Sequence, residues 1–321
     1  MQIALISPAE LRSRSGNRTT AVRWARLLRE LGHRVNVHTR WDGAPGEMMI
    51  ALHAWRSAES IVQFRQRYPQ RPLVVALTGT DVYRFQASHK AETHHSMELA
   101  DILVCLHAGV KEAIPSNLTS KLHVIHQSAP LLPRPRSPSK RTFDICVIGH
   151  LREEKDPFRT AYAVRDLAPE SRLRVLHLGR AHSPEWAADA RAEMACNHRY
   201  HWLGEVPGWR VRREFIKTHL MVLSSIMEGG ANVISEALVA GVPVIASRID
   251  GNVGLLGEQY PGYFSPKSTA QLRKLLVRAE NDSGFVESLN RHAAIHRPLF
   301  TPERETAEWQ AVLKILTAET R

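Results

Sequence analysis

Two carboxylates, Glu228 and Glu236, stand eight positions apart around the diglycine Gly229-Gly230. The run Leu220-Met221-Val222-Leu223 precedes them and Pro243-Val244-Ile245-Ala246 follows. The pattern reads strand, glycine loop, short helix, strand, a βαβ unit with a polar loop at a strand's carboxyl end. Open α/β sheets hold ligands at such ends. The backbone N–H groups of Gly230, Ala231 and Asn232 would emerge from a helix N-terminus, which suits a phosphate. Acceptor carboxylates on either side of an anion site suit a ligand with hydroxyls flanking a phosphate group, and a sugar nucleotide fits that description. The plainer alternative is a tight turn followed by a solvent-facing helix glutamate.

Other residues offer complementary chemistry. Gly16-Asn17-Arg18 forms a polar loop between a first strand and a helix, able to hold donor phosphates or a small phosphate-like acceptor. No G-x-G-x-x-G is present, so a dinucleotide fingerprint is missing. Thr78-Gly79-Thr80-Asp81 follows an apolar run, with Arg84 one helical turn beyond Thr80. It offers donors and a cation to an anion, or equally a Thr/Asp helix cap. His53 and His107 end apolar runs at expected strand C-termini, although seventeen histidines dilute that signal. Arg152 and Lys155 lie in a charged loop after the run Ile145–Ile148. Cys105, Cys146 and Cys196 are widely spaced and show neither metal spacing nor a disulfide framework. A reducing, cytoplasmic location is the expectation, with no metal and no cofactor.

Elements able to position these groups follow from the periodicity. Strands are expected at Ile3–Ile6, Val35–His38, Met48–His53, Leu73–Leu77, Ile102–Leu106 and Leu122–Ile125. A second series is expected at Ile145–Ile148, Leu173–Leu178, His201–Leu203, Met221–Ser224 and Val244–Ala246. Residues 19–31 put Ala21, Trp24, Ala25, Leu28 and Leu31 on one helical face. Helices are also expected at 56–67, 108–114, 156–167, 185–195, 209–217, 232–240, 268–280, 283–294 and 303–318. Such alternation predicts α/β structure, two Rossmann-like, doubly wound domains facing an inter-domain cleft. Residues 128–141 hold four prolines and read as the linker. The expected division is 1–135 and 136–300, with a final helix within 303–321 returning to the first domain.

Bulk numbers bound the function. The 321 residues, 43% hydrophobic and 23% charged, suit a globular protein of two domains. No apolar stretch approaches the ~18 residues of a membrane span. The opening residues read as a strand rather than a signal peptide. Net charge is +11, and residues 1–135 carry 17 Lys and Arg against 10 Asp and Glu. Spread in this way, the excess steers small anions as readily as nucleic acid. No basic motif or aromatic platform favours nucleic acid.

The Glu228…Glu236 string, its Ala240-Gly241-Val242-Pro243-Val244 continuation, the linker and the two-domain alternation resemble the family 4 glycosyltransferases of the GT-B fold. The resemblance covers nearly the whole chain. It implies that Glu236 grips ribose hydroxyls and Glu228 the donor hexose, and that Gly229, Gly230, Ala231 and Asn232 approach the diphosphate. Lys155 and Arg152 would neutralise that diphosphate, and Glu205 and Val206 would pair with the uracil edge. No metal is implied. This chain departs from the common pattern with His150 after the strand glycine, Asp156 after Lys155, and Thr78 where many relatives carry a histidine.

Four segments are closer still to the selenosugar synthases of selenoneine biosynthesis. These are Gly16–Ala21, Ala51–Ala58, Leu77–Arg84 and Gly149–Pro157. That resemblance implies transfer of a hexose from UDP-N-acetylglucosamine or UDP-glucose to selenophosphate. The acceptor would be held by Gly16, Asn17, Arg18, Thr78, Gly79, Thr80, Arg84 and His53. Selenophosphate is already a nucleophile, so loss of a histidine base at position 78 fits. Transfer to a hydroxyl of a lipid or glycan is the alternative within the same family.

Overall fold

The computed structural model describes residues 1–10 and 15–318; the last three residues of the expected 303–321 helix lie outside that range. Its contacts divide the chain into two units. The first comprises Met1–Ser128, Gly229–Asn232 and the stretch from Thr301 onward. Six strands form its sheet: β1 (Gln2–Ile6), β2 (Arg34–His38), β3 (Met48–Leu52), β4 (Leu73–Ala76), β5 (Ile102–Cys105) and β6 (Leu122–Val124). They run parallel in the order β2-β1-β3-β4-β5-β6. Ile3 registers with Val35 on one side and Met48 on the other, so the strand order turns around between β1 and β3.

The inner strands β1, β3, β4 and β5 are almost continuously apolar because both faces of the sheet are covered there, whereas edge strand β2 alternates, with Arg34 and Asn36 exposed. Ile3, Leu5, Ile50 and Leu52 enter one buried cluster; Ala4, Ile6, Met49 and Ala51 enter the other. Helix Gly16–Glu30 starts at Ser15, whose side chain accepts from the Arg18 N–H, and buries Ala21, Trp24, Ala25 and Leu28 on the first cluster. The terminal helix Pro302–Ala318 packs on that same cluster through Trp309, Val312, Leu313 and Leu316. Trp24 and Trp309 meet edge to face, with ring centroids 4.8 Å apart. Beneath them Glu305 is fully buried. Its carboxylate accepts from Trp24 Nε1 at 2.8 Å, Arg23 Nε at 3.0 Å, and both the N–H and hydroxyl of Ser128. A buried charge is tolerable only when satisfied in this way.

The second unit comprises Ala129–Glu228 and Val233–Phe300. Its strands are β7 (Phe143–Ile148), β8 (Leu173–Leu178), β9 (Tyr200–Trp202), β10 (Leu220–Leu223), β11 (Val244–Ser247) and β12 (Tyr263–Phe264). The parallel order is β12-β11-β10-β7-β8-β9. Chain order therefore reverses between β7 and β10.

The proline-rich stretch is fastened rather than loose. The Arg136 guanidinium donates to the carbonyls of Gly241 and Thr218, and Ser137 N–H donates to Ile216 O at 2.7 Å. The units accordingly divide between Ser128 and Ala129, before the 135/136 boundary expected from the prolines.

Several elements differ from the periodicity. The helix expected at 156–167 is Arg159–Val164, because Asp156 is left-handed and Pro157 follows. Residues 108–113 form a 3-10 segment. Helices Lys90–Leu99 and Asp250–Leu256, and two-residue β12, escaped the pattern: the first is mostly polar and the others are short. Among the described residues no helix is long and apolar enough to cross a membrane. Burial pushes the thiols of Cys105 and Cys146 up to about 12, so both act as small core hydrophobes.

Trp309→Ala should lower stability by about 3–5 kcal/mol. Denaturant unfolding followed by circular dichroism checks the value.

Candidate functional site

In the second unit the residues expected to bind a donor collect where strand order reverses. β7 and β10 are neighbours, and their carboxyl-end loops carry His150–Asp156 and Ser224–Glu228. A doubly wound sheet opens a crevice at such a point, because the adjacent connections leave toward opposite faces. Lys155 closes a single 3-10 turn, Glu153–Lys155. Its ammonium pairs with Glu228 Oε1, and the Ser225 hydroxyl donates to the same oxygen at 2.5 Å. Both partners are largely shielded, with side chains 18% and 10% exposed, so the pair is far less screened than a surface bridge.

The surrounding backbone fixes this pair. Ser224 Oγ donates to the Asp156 carbonyl at 2.9 Å, and Ile226 N–H donates to Glu154 O at 2.9 Å. Ser247 Oγ donates to Ser225 O at 2.5 Å, while Asn252 Nδ2 donates to Ser247 O at 2.9 Å. Gly251 lets the chain pass close: a Cβ there would lie 2.1 Å from the Glu228 carbonyl oxygen. Asp156 occupies the left-handed region, φ 44° and ψ 58°. Asp tolerates that conformation better than most side chains, and its carboxylate binds Arg159 through two hydrogen bonds of 2.8 and 3.1 Å. That explains how this chain manages without a glycine after Lys155.

A cationic cluster stands beside β7 and β8. The His150 and His182 rings are 5.3 Å apart. His150 is held down to about 4 by burial, then by His182 and Arg152, against the opposing pull of Glu205. Burial, Arg152 and Arg180 also lower His182. Arg152 lies 3.9 Å from Glu154. Glu205, exposed, and Val206 follow β9 at the same sheet end. Glu236 sits half-buried in helix Asn232–Ala240, whose apolar residues Ile234, Ala237 and Leu238 are buried. Below the cluster, His177 Nε2 donates to the Gly149 carbonyl at 3.0 Å, which leaves Nδ1 of the neutral ring to accept from Tyr200 OH at 2.9 Å. Burial lowers it to about 4.

The first unit gathers the other candidates. Gly229–Asn232 belongs to it. A Cβ on Gly229 would lie 2.2 Å from Gly79 Cα, so no side chain fits there. Arg23 Nη1 donates to Asn232 Oδ1 at 2.9 Å. Gly16 and Asn17 open the helix that Ser15 caps, with Arg18 half-buried in its first turn.

Asp81 organises the 78–81 loop. Its buried carboxylate accepts the N–H groups of Thr78 (3.0 Å), Gly79 (2.7 Å), Val82 (3.2 Å) and Ala54 (3.0 Å). The loop amides of Thr78 and Gly79 are thus committed internally. His53 Nε2 lies 2.9 Å from Thr80 Oγ1. Arg84 is exposed, its guanidinium 5.7 Å from the centroid of Phe85. His107 is fully buried, with Nε2 3.4 Å from Tyr83 OH.

Sequence reasoning missed Ser225, Arg180 and His182, which meet the site through tertiary contacts. Asp81 was legible as a candidate cap carboxylate in Thr78-Gly79-Thr80-Asp81, and its carboxylate does take the local amides.

Residues 132–295 match the family model of glycosyl transferases group 1. The chain belongs to that family. A Bacillus subtilis (strain 168) protein named for glycosyl transfer in teichuronic acid biosynthesis is 28% identical over 136 residues, 42% of this chain. The match spans about a third (32%) of that relative's length. Among solved structures, sucrose-phosphate synthase from Thermosynechococcus elongatus superposes with a TM-score of 0.80 at 15% identity, over 99% of both chains. Anabaena HepE in complex with UDP-glucose gives 0.77 at 15% identity, over 98% of this chain and 99% of that one. With two parallel six-stranded sheets, these likenesses define a GT-B glycosyltransferase fold.

Two predictions follow from the geometry. Asp156→Gly should fold with stability within about 1 kcal/mol of the parent, whereas Asp156→Val should lose about 1–3 kcal/mol from backbone strain, read by thermal unfolding. The second concerns acid. In the unfolded chain histidine titrates near ~6.5, while His177 and His150 titrate at about 4 when folded. The unfolded state binds more protons between those values, so stability is full above the upper one and falls as pH drops toward 4. Urea midpoints measured across that window should decline, and His177→Gln should flatten part of the slope.

Proposed function

We propose that the protein is a glycosyltransferase that moves a hexose, N-acetylglucosamine or glucose, from a UDP-sugar to selenophosphate. The selenium–C1 bond forms as the C1–oxygen bond to UDP breaks, so UDP departs and the phosphoryl group stays on selenium until water removes it as phosphate. The observation that carries the donor half is the shielded Lys155–Glu228 pair at the β7–β10 reversal. A cation so placed can meet the charge that develops on the departing diphosphate oxygen. Arg152 adds to the same field. Glu228, released from Lys155, would accept from a hexose hydroxyl, and Glu236 would accept from the ribose diol. Gly229, Gly230, Ala231 and Asn232 would face the diphosphate, and Glu205 with Val206 the uracil edge. The HepE complex with UDP-glucose, a similar fold, supports a UDP-sugar as donor. The acceptor half rests on the resemblance of the four N-terminal and central segments to selenosugar synthases.

Mass spectrometry of the full chain with selenophosphate and a panel of nucleotide sugars should reveal a selenosugar and UDP. Lys155→Ala and Glu236→Ala should each lose about 10²–10³-fold in kcat/KM while keeping the parent's fold, with Lys155→Ala less stable because Glu228 is left without its cation. Normal turnover by both variants would remove the assigned site. UDP release that needs a hydroxyl acceptor instead would overturn the acceptor.

A further inference from the structure

His53 carries more information than its position at a strand end. Its backbone is left-handed, φ 74°, a costly state that persists only when the surroundings enforce it. They do: His53 N–H donates to Ala76 O at 2.8 Å, and its carbonyl accepts from Ser57 N–H at 3.1 Å. The ring is then read unambiguously. Nδ1 accepts the Arg56 N–H at 3.2 Å. A neutral imidazole has one N–H, so Nε2 carries it and donates to Thr80 Oγ1 at 2.9 Å. Burial, which disfavours the imidazolium, acts in the same direction. Thr80 Oγ1 is therefore occupied as an acceptor, and its own proton points elsewhere. Among the described residues the structure gives that proton no acceptor.

Nothing in this loop is available to take a proton. The His53 lone pair is covered by the Arg56 amide, and the Asp81 oxygens are covered by four backbone amides. Positive charge stands alongside: the exposed Arg56 and Arg84 guanidiniums lie 5.8 and 5.7 Å from the same Phe85 ring, which stacks on Trp55 at 4.1 Å.

We propose that His53 holds the Thr80 hydroxyl as a one-way donor, making this loop, with Arg56 and Arg84, a binding site for a small phosphate-class oxyanion that reacts without losing a proton to the protein. His53 is a positioning residue and Thr80 selects the acceptor. This inference rests on the transferase reading for its place in the reaction, but its binding claim stands apart.

The test uses the full chain, inorganic phosphate as probe, and UDP in a separate titration. Long-range proton–nitrogen NMR of His53 should show the Nε2–H tautomer. Calorimetry should show phosphate binding weakened about tenfold or more in Thr80→Val, restored in Thr80→Ser, with UDP affinity unchanged in both. An Nδ1–H tautomer, or Thr80→Val binding phosphate as tightly as the parent, would overturn the proposal. Should the parent bind phosphate as described and fail to bind UDP, the transferase reading falls and the oxyanion site stands. The converse result removes only the oxyanion site.

Discussion

The second unit's site depends on one ion pair between loops that belong to adjacent strands. Lys155 follows β7 and Glu228 follows β10. Their charges sit where neighbouring connections diverge, a gap the sheet itself cannot fill. Two half-buried charges are costly alone and tolerable together, so each loop supplies what the other needs. The hydroxyls of Ser225 and Ser224, the left-handed Asp156 and the glycine at 251 all serve that approach. A ligand bringing both hydroxyls and a diphosphate could replace each half of the pair with a partner of its own.

The first unit solves a different problem at the ends of β3 and β4. Backbone amides at a strand end must be paired or solvated, and Asp81 takes four of them. A loop that satisfies its own amides in this way is rigid, and its remaining donors have fixed directions. His53 and Thr80 continue that order outward. The loop thereby trades adaptable hydrogen bonding for a single defined donor beside two arginines.

Glu305 shows the same economy in the core. It gathers Trp24, Arg23 and Ser128 around one buried carboxylate on the terminal helix. Residues far apart in sequence are joined there, and the last helix completes the first unit's cluster.

Much of this was readable from the chain. Apolar runs locate eleven of the twelve strands among the described residues and the diglycine locates the loop, since burial on both faces of a parallel sheet leaves a local imprint. Two-residue β12 and the mostly polar helix Lys90–Leu99 left none, because neither carries a periodic apolar face. The sequence alone determined the α/β alternation, the carboxylates at 228 and 236, and the cations at 152 and 155. Only the tertiary structure decided that Lys155 meets Glu228, that Asp81 also takes the Ala54 amide, and which nitrogen of His53 bears its proton. Those outcomes depend on groups brought together from distant strands, and pairing at a distance has no local periodicity to betray it.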